Sequence, residues 1–169
     1  LELGGAERML ERLVKESSNN PSIKQSIITL KNKGSIGRQL QKQGFDVVSL
    51  DMKSLFRAPI ILYKLVQIFR FSRPDAVYTW MYHADLIGGL AAFLAKVKNI
   101  IWGIRNTEVP QRMLSVTTIV IKICSILSFY IPNKIICCAE AAKSAHIKLG
   151  FCASKMVVIS NGYDLSTFK

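Results

Sequence analysis

Apolar positions along the chain switch between two spacings. Stretches repeating every three to four residues mark one face of a helix, and they alternate with short runs of Ile and Val that suit strands covered on both faces. The first helical stretch runs from about Ala6 to Glu16 and stops in Ser17-Ser18-Asn19-Asn20-Pro21. Ser26-Ile27-Ile28-Thr29-Leu30 then reads as a strand, and Gly34 and Gly37 flank a short helix from about Ile36 to Gln43. Gly44 ends that helix before the strand Phe45 to Leu50, and Pro59 sits in the first turn of a helix reaching Phe71. Arg73-Pro74-Asp75 is a turn, followed by the strand Ala76 to Trp80.

The alternation continues to the end. His83-Ala84-Asp85 opens a helix of small residues, Gly88-Gly89-Leu90-Ala91-Ala92, suited to close packing on a sheet, and Asn99 to Ile104 is the next strand. A long apolar helix runs toward Tyr130, then come a strand at Lys134 to Cys138, a helix from Ala141 to Leu149 and a strand from Lys155 to Ile159. Helix then strand, repeated in this way, predicts an α/β fold, a doubly wound Rossmann-like parallel sheet with helices on both faces. In such sheets ligands bind outside the carboxyl ends of the strands. The loops of interest therefore hold His83, Arg105 and Asn106, Cys138 to Glu140, and Ser160 to Gly162.

At 169 residues, half of them hydrophobic, the chain has the material for one domain with a sizeable core, and a folded rather than a disordered chain is expected. It lacks an initiator Met and enters a Gly-Gly loop without a preceding apolar strand, so it reads as a fragment whose first strand is missing. The formal charge of +12 points to phosphate in some form: nucleic acid, lipid headgroups or a nucleotide diphosphate. Basic residues interleaved with exposed aromatics, or a nucleic-acid motif, are not evident, which argues against nucleic acid. Cys124, Cys137, Cys138 and Cys152 form no C-x-x-C pair, and His83 and His146 stand at no zinc-ligand spacing; buried reduced thiols in the cytoplasm are expected, and no metal. The run Met113 to Ile131 approaches bilayer length but carries Lys122 at its middle, which favours a core helix and leaves a helix sunk in the membrane surface open.

Several positions could carry chemistry. Gly4-Gly5 stands ahead of a helix, where uncovered N–H groups suit phosphate, although such a pair is also ordinary loop punctuation. Glu7 in the first turn complements the helix dipole. His83 is either a hydrogen-bonding ligand residue or a cap, and Glu140 likewise has a structural reason to be acidic at a helix start. Arg105 offers a permanently charged fork for phosphate or carboxylate, with an ion pair to Glu108 as the alternative. Asn161-Gly162 suits a tight turn.

Two of these segments resemble motifs of a known family. Gly4-Gly5-Ala6-Glu7 looks like the Gly-Gly-x-Glu loop after the first strand of GT-B glycosyltransferases of family 4, and Val158 to Phe168, with Asn161-Gly162, Asp164 and Phe168, looks like their I-x-N-G-[VI]-D-x-x-x-F segment. The likeness covers essentially the whole chain and matches the N-terminal, acceptor-side domain, residues 1–169, with the donor-binding domain and its E-x7-E motif absent. It implies transfer of a sugar from a UDP- or GDP-sugar donor to a cell-envelope polysaccharide, lipopolysaccharide or lipid-linked acceptor in bacteria, with no cofactor or bound metal. It also implies that Gly4 and Gly5 approach the donor diphosphate or the acceptor, that His83 and Glu140 match residues seen in the family, and that Asn161, Gly162 and Asp164 lie by the cleft between domains.

Arg105 is a departure, standing beside Asn106 where many members have a His; that removes an acid–base role and favours an anionic acceptor. Location would be cytoplasmic, with peripheral attachment to the inner face of the plasma membrane, and the fragment alone would be inactive. One rival is a non-catalytic α/β module that binds anionic ligand or membrane. The other is an epimerase of the same fold, for which the paired carboxylates and His needed for proton transfer are not evident.

Overall fold

The computed structural model of the chain describes residues 4–107 and 115–162, apart from the side chain of Leu55. Among the described residues six helices and six strands alternate: α1 (Gly5–Ser18), β1 (Ser26–Thr29), α2 (Gly34–Lys42), β2 (Asp46–Ser49), α3 (Ala58–Ser72), β3 (Ala76–Tyr78), α4 (Tyr82–Leu94), β4 (Asn99–Ile104), α5 (Val116–Leu127), β5 (Lys134–Cys137), α6 (Glu140–Lys148) and β6 (Met156–Val158). Short 3-10 turns at Leu55–Arg57 and Ala153–Lys155 precede α3 and β6. The chain divides into two compact units at Ile61 and Leu62, inside α3.

In the first unit β1 and β2 pair in parallel, from Ser26 opposite Asp46 to Thr29 opposite Ser49. The apolar faces of α1 and α2 close a small core of Val14, Ile27, Ile36, Leu40 and Val47, against which Leu10 and Phe45 pack. Gly44 ends α2 with φ +90, a left-handed conformation that glycine adopts without steric cost, and the turn returns Phe45 N–H to the Leu40 carbonyl. Gln25 donates to the Val14 carbonyl at 2.6 Å and accepts from Ser17 at 2.9 Å, so the end of α1 is satisfied from outside the helix.

The second unit is a parallel sheet of order β3-β4-β5-β6. Its core holds Ile100, Trp102, Ile104, Ile135 and Cys137 from the two central strands, with Ala91 and Ala92 of α4 and Ile121 and Cys124 of α5. The small residues of α4 serve the close approach expected of them. A Cβ at Gly89 would run into the Trp102 indole, and one at Gly88 would stand 3.2 Å from Thr79 Cγ2.

The α/β class and parallel strands agree with the pattern of the sequence, and β4 coincides with the expected Asn99 to Ile104. The ladders, however, form a pair and a run of four. The apolar helix α5 is capped by Ser115, whose hydroxyl accepts from Thr118 N–H at 3.1 Å, and it buries Val120, Ile121, Cys124 and Ser125 while its other face is exposed. Among the described residues no helix is long and apolar enough to cross a membrane.

Candidate functional site

The carboxyl ends of β3, β4 and β6 bring together side chains far apart in sequence. β3 pairs with β4 up to Tyr78 opposite Ile101, and the pairing carries on as Thr79 N–H donates to Ile101 O and Met81 N–H to Gly103 O. Gly103 makes room for this crossing, because a Cβ there would lie 2.9 Å from the Thr79 carbonyl oxygen and 3.0 Å from the Tyr78 ring. Tyr78 and Trp80 meet edge to face with centroids 5.3 Å apart.

Arg105, the first residue past β4, lies on this aromatic pair. Its guanidinium carbon stands 4.0 Å from the Trp80 ring centroid, Nη2 donates to the Tyr78 hydroxyl at 2.5 Å, and Nη1 donates to Asn161 Oδ1 at 3.2 Å. Its Nε is buried and has no hydrogen-bond partner among the described residues. The three groups that hold Arg105 are neutral, so they orient its charge without cancelling it. Burial pushes the Tyr78 phenol above its ordinary value, and Arg105 pulls it partly back.

Beneath this group lies Asp85, 1 % exposed, in the first turn of α4. Burial pushes its carboxyl up to about 8, against the hydrogen bonds from Thr79 and the Gly103 backbone that favour the charged form. Thr79 Oγ1 lies 2.5 Å from Asp85 Oδ1 and 3.2 Å from the Ile101 carbonyl. With its carboxyl protonated, Asp85 can donate to Thr79 Oγ1 and leave the Thr79 proton to the Ile101 carbonyl.

A second buried pair links α4 to α6. Tyr82 Oη is 2.7 Å from His146 Nε2, and His146 Nδ1 is 2.7 Å from the Ala142 carbonyl. A carbonyl only accepts, so Nδ1 carries the proton and Nε2 accepts from tyrosine: a neutral imidazole, in keeping with burial that lowers the His146 pKa. Asp85, Tyr82 and His146 are not among the positions that the sequence marks as site residues. Polar residues on an otherwise apolar helix face at Tyr82 and Asp85 were the available signal.

Of the residues singled out from sequence, the structure brings Arg105 and Asn161 together. His83 is half-buried in the first turn of α4 and engaged in an interaction, Asn106 is half-buried, and Gly162 is exposed with open space where a Cβ would be. Glu140 is exposed at the first position of α6. Gly4 and Gly5 belong to the first unit, as N-cap and first residue of α1; the Glu7 carboxylate folds back onto the space a Gly4 Cβ would need, so an acidic side chain stands at that helix start. Glu108 and Asp164 lie outside the described residues. Cys124, Cys137 and Cys152 are buried free thiols and Cys138 is half-buried, with burial pushing Cys137 up to about 11. Among the described residues no three His, Cys, Asp or Glu side chains converge as a metal site requires.

The sequence profile of glycosyltransferase family 4 matches residues 3–167. No curated protein matches the chain by sequence. Among solved structures, the chain is similar to HepE of Anabaena in complex with UDP-glucose, at TM-score 0.77 and 22% identity over 96% of this chain and 42% of that one. It is also similar to the lipopolysaccharide outer core galactosyltransferase WaaB, at TM-score 0.71 and 12% identity over 96% and 43%. A third likeness is to the UDP-GlcNAc 2-epimerase of Neisseria meningitidis bound to UDP-GlcNAc, at TM-score 0.66 and 14% identity over 95% and 44%. The chain thus spans less than half the length of each, and the shared fold is one half of a GT-B structure.

Proposed function

We propose that this chain, which belongs to glycosyltransferase family 4, is the acceptor-side half of an enzyme that transfers a sugar from a UDP- or GDP-sugar to a glycan or lipid-linked acceptor of the bacterial cell envelope. The single observation that carries the reading is Arg105 at the carboxyl edge of the sheet, its charge held in place by Tyr78, Trp80 and Asn161 and opposed by no ion pair among the described residues. A planar fork fixed in that way suits a phosphate or carboxylate. It cannot take a proton from an attacking hydroxyl near neutral pH, so its part is to bind and orient. The acceptor accordingly carries an anionic group beside the hydroxyl that receives the sugar.

His83 and Asn106 supply hydrogen bonds to acceptor or sugar on the same edge, Glu140 opens the adjoining helix, and Asn161, Gly162 and Asp164 lead toward the donor-binding half. Gly4 and Gly5 offer backbone N–H groups to the donor diphosphate or to the acceptor beside it. Charge on the departing diphosphate is met mainly in the other half, so the chain alone transfers no sugar. Attachment is peripheral, on the cytoplasmic face of the plasma membrane. HepE with UDP-glucose and the galactosyltransferase WaaB are the likenesses in keeping with this reading.

The test is transfer by the intact enzyme containing this chain, with Arg105→Ala and Arg105→Lys compared on an anionic acceptor and on its neutral counterpart. Arg105→Ala is expected to lose activity on the anionic acceptor and little on the neutral one; equal loss on both removes the anion from the reading. The likeness to an epimerase supports a second reading, in which the donor sugar itself is changed. Solvent deuterium entering the donor sugar would establish it and overturn transfer.

A further inference from the structure

We infer that the outward face of α5 is an interface with a second copy of this chain. The inference goes beyond the transferase reading and uses none of the residues at the Arg105 edge. α5 turns Val120, Ile121 and Cys124 into the core and leaves a second set of apolar side chains in water. Val116, Ile119 and Ile123 are between 40% and 53% exposed, Ile126 is 65% exposed, and Tyr130, in the turn that follows the helix, 73%. Their spacing is three, four, three and four residues, the repeat that turns every member of a stripe toward one partner helix. Branched Val and Ile at such positions are the side chains that interlock between two helices. Phe129, also exposed, lies along one flank of the stripe with Lys122.

The exposed parts of the stripe and Phe129 amount to about 500 Å² of apolar surface, as much as a monomer ordinarily leaves in water in one patch. Set against the same face of a copy, about 1,000 Å² is covered, which reaches the lower bound of a specific interface. A two-fold axis requires a face that complements itself. The stripe does so because it is uncharged: Lys122, the one charged residue of α5, stands beside it, so meeting its copy buries no like charges. A bilayer interface draws on cations around the apolar groups. α5 supplies Lys122 alone, and Lys155 near the end of the helix already donates to the Phe129 carbonyl at 2.7 Å.

The experiment is sedimentation equilibrium of the full chain and of the intact enzyme that contains it. Each is expected to dimerise with a Kd on the order of micromolar, and the dimer should hold or tighten as salt rises. Ile126→Lys should weaken it by about a hundredfold or more, because the change is made in both copies. Phe71→Ser, at a ring that is 93% exposed on α3, should leave it unchanged. Ile123 is at the middle of the stripe and faces its own copy whether the two helices run parallel or antiparallel. Ile123→Cys should therefore give dimer with a short bis-maleimide, while Ser144→Cys, exposed on α6, should not. This readout stands even if Ile126→Lys unfolds the chain. A chain that stays monomeric to about 100 μM, equal losses with Ile126→Lys and Phe71→Ser, or equal cross-linking of the two cysteine variants would overturn the proposal. So would a dimer of the chain alone with a monomeric intact enzyme, since the face would then be covered within one molecule. Dissociation of the dimer by phosphatidylglycerol vesicles, with binding to them lost in Ile126→Lys, would give the face to the bilayer and overturn it as well. Transfer by the intact enzyme does not enter these measurements, so failure here is separable from failure of the transferase reading.

Discussion

Arg105 and Asp85 stand in one small region and treat charge in opposite ways. Asp85 is sealed beneath the sheet end and keeps its proton, so its carboxyl behaves as a neutral pin between Thr79 and Gly103. Arg105 lies at the rim, keeps its charge and is held only by neutral groups. A charge that folding neutralises has finished its work within the fold. One that folding orients but leaves unmatched is available to a ligand.

The comparison can be broken most decisively at Arg105. In the intact enzyme, Arg105→Ala should lower kcat/KM for the anionic acceptor by on the order of a hundredfold, the value of a charged hydrogen-bonding contact, with Arg105→Lys between the two. Unchanged turnover would make Arg105 as structural as Asp85.

Much of this region was legible beforehand, and what was not has a physical reason. The run Asn99 to Ile104 announced β4, and the position just past its end marked Arg105. Nothing local joins Arg105 to Asn161, 56 residues on, because that contact exists only once β6 is laid beside β5. Asp85 in a first helical turn looks like any acid that complements a helix dipole; its burial comes from Gly88 and Gly89 letting α4 sink onto Thr79 and Trp102. Trp80 was expected inside the strand, but β3 ends at Tyr78, which frees Trp80 to lie under Arg105. The division into two ladders was also hidden, since periodicity reports burial and not which strands are neighbours.

Closer to the pin, Gly89→Ala should destabilise the chain by about 1–3 kcal/mol in denaturant unfolding, because the added methyl meets the Trp102 indole. No loss would mean that α4 can lift without cost, and the depth that keeps Asp85 neutral would lose its explanation. Tyr82→Phe leaves His146 Nε2 without its donor and should cost about 1–2 kcal/mol. Since burial lowers the His146 pKa below its unfolded value of 6.5, that residue's contribution is present above pH 6.5 and is lost as pH falls through the folded value.

Asp85 has the opposite sign and the mildest expected effect of substitution. Its folded pKa of about 8 stands above the unfolded 3.8, so its contribution is full below pH 3.8 and declines as pH rises toward 8. Asp85→Asn, which keeps the shape without the titration, should be nearly neutral at low pH and flatten that decline in Tm. An unchanged slope would show Asp85 to be charged after all.

The two tryptophans of the chain occupy contrasting places: Trp102 is 0% exposed in the core, while Trp80 lies under the guanidinium of Arg105. The protein therefore contains its own optical probe and its own internal standard. An anion that draws Arg105 off the Trp80 ring changes emission from that indole alone, and Trp80→Phe leaves a silent reference in Trp102. Occupancy of the site can be followed by light, without a label, before the sugar or the acceptor has a name.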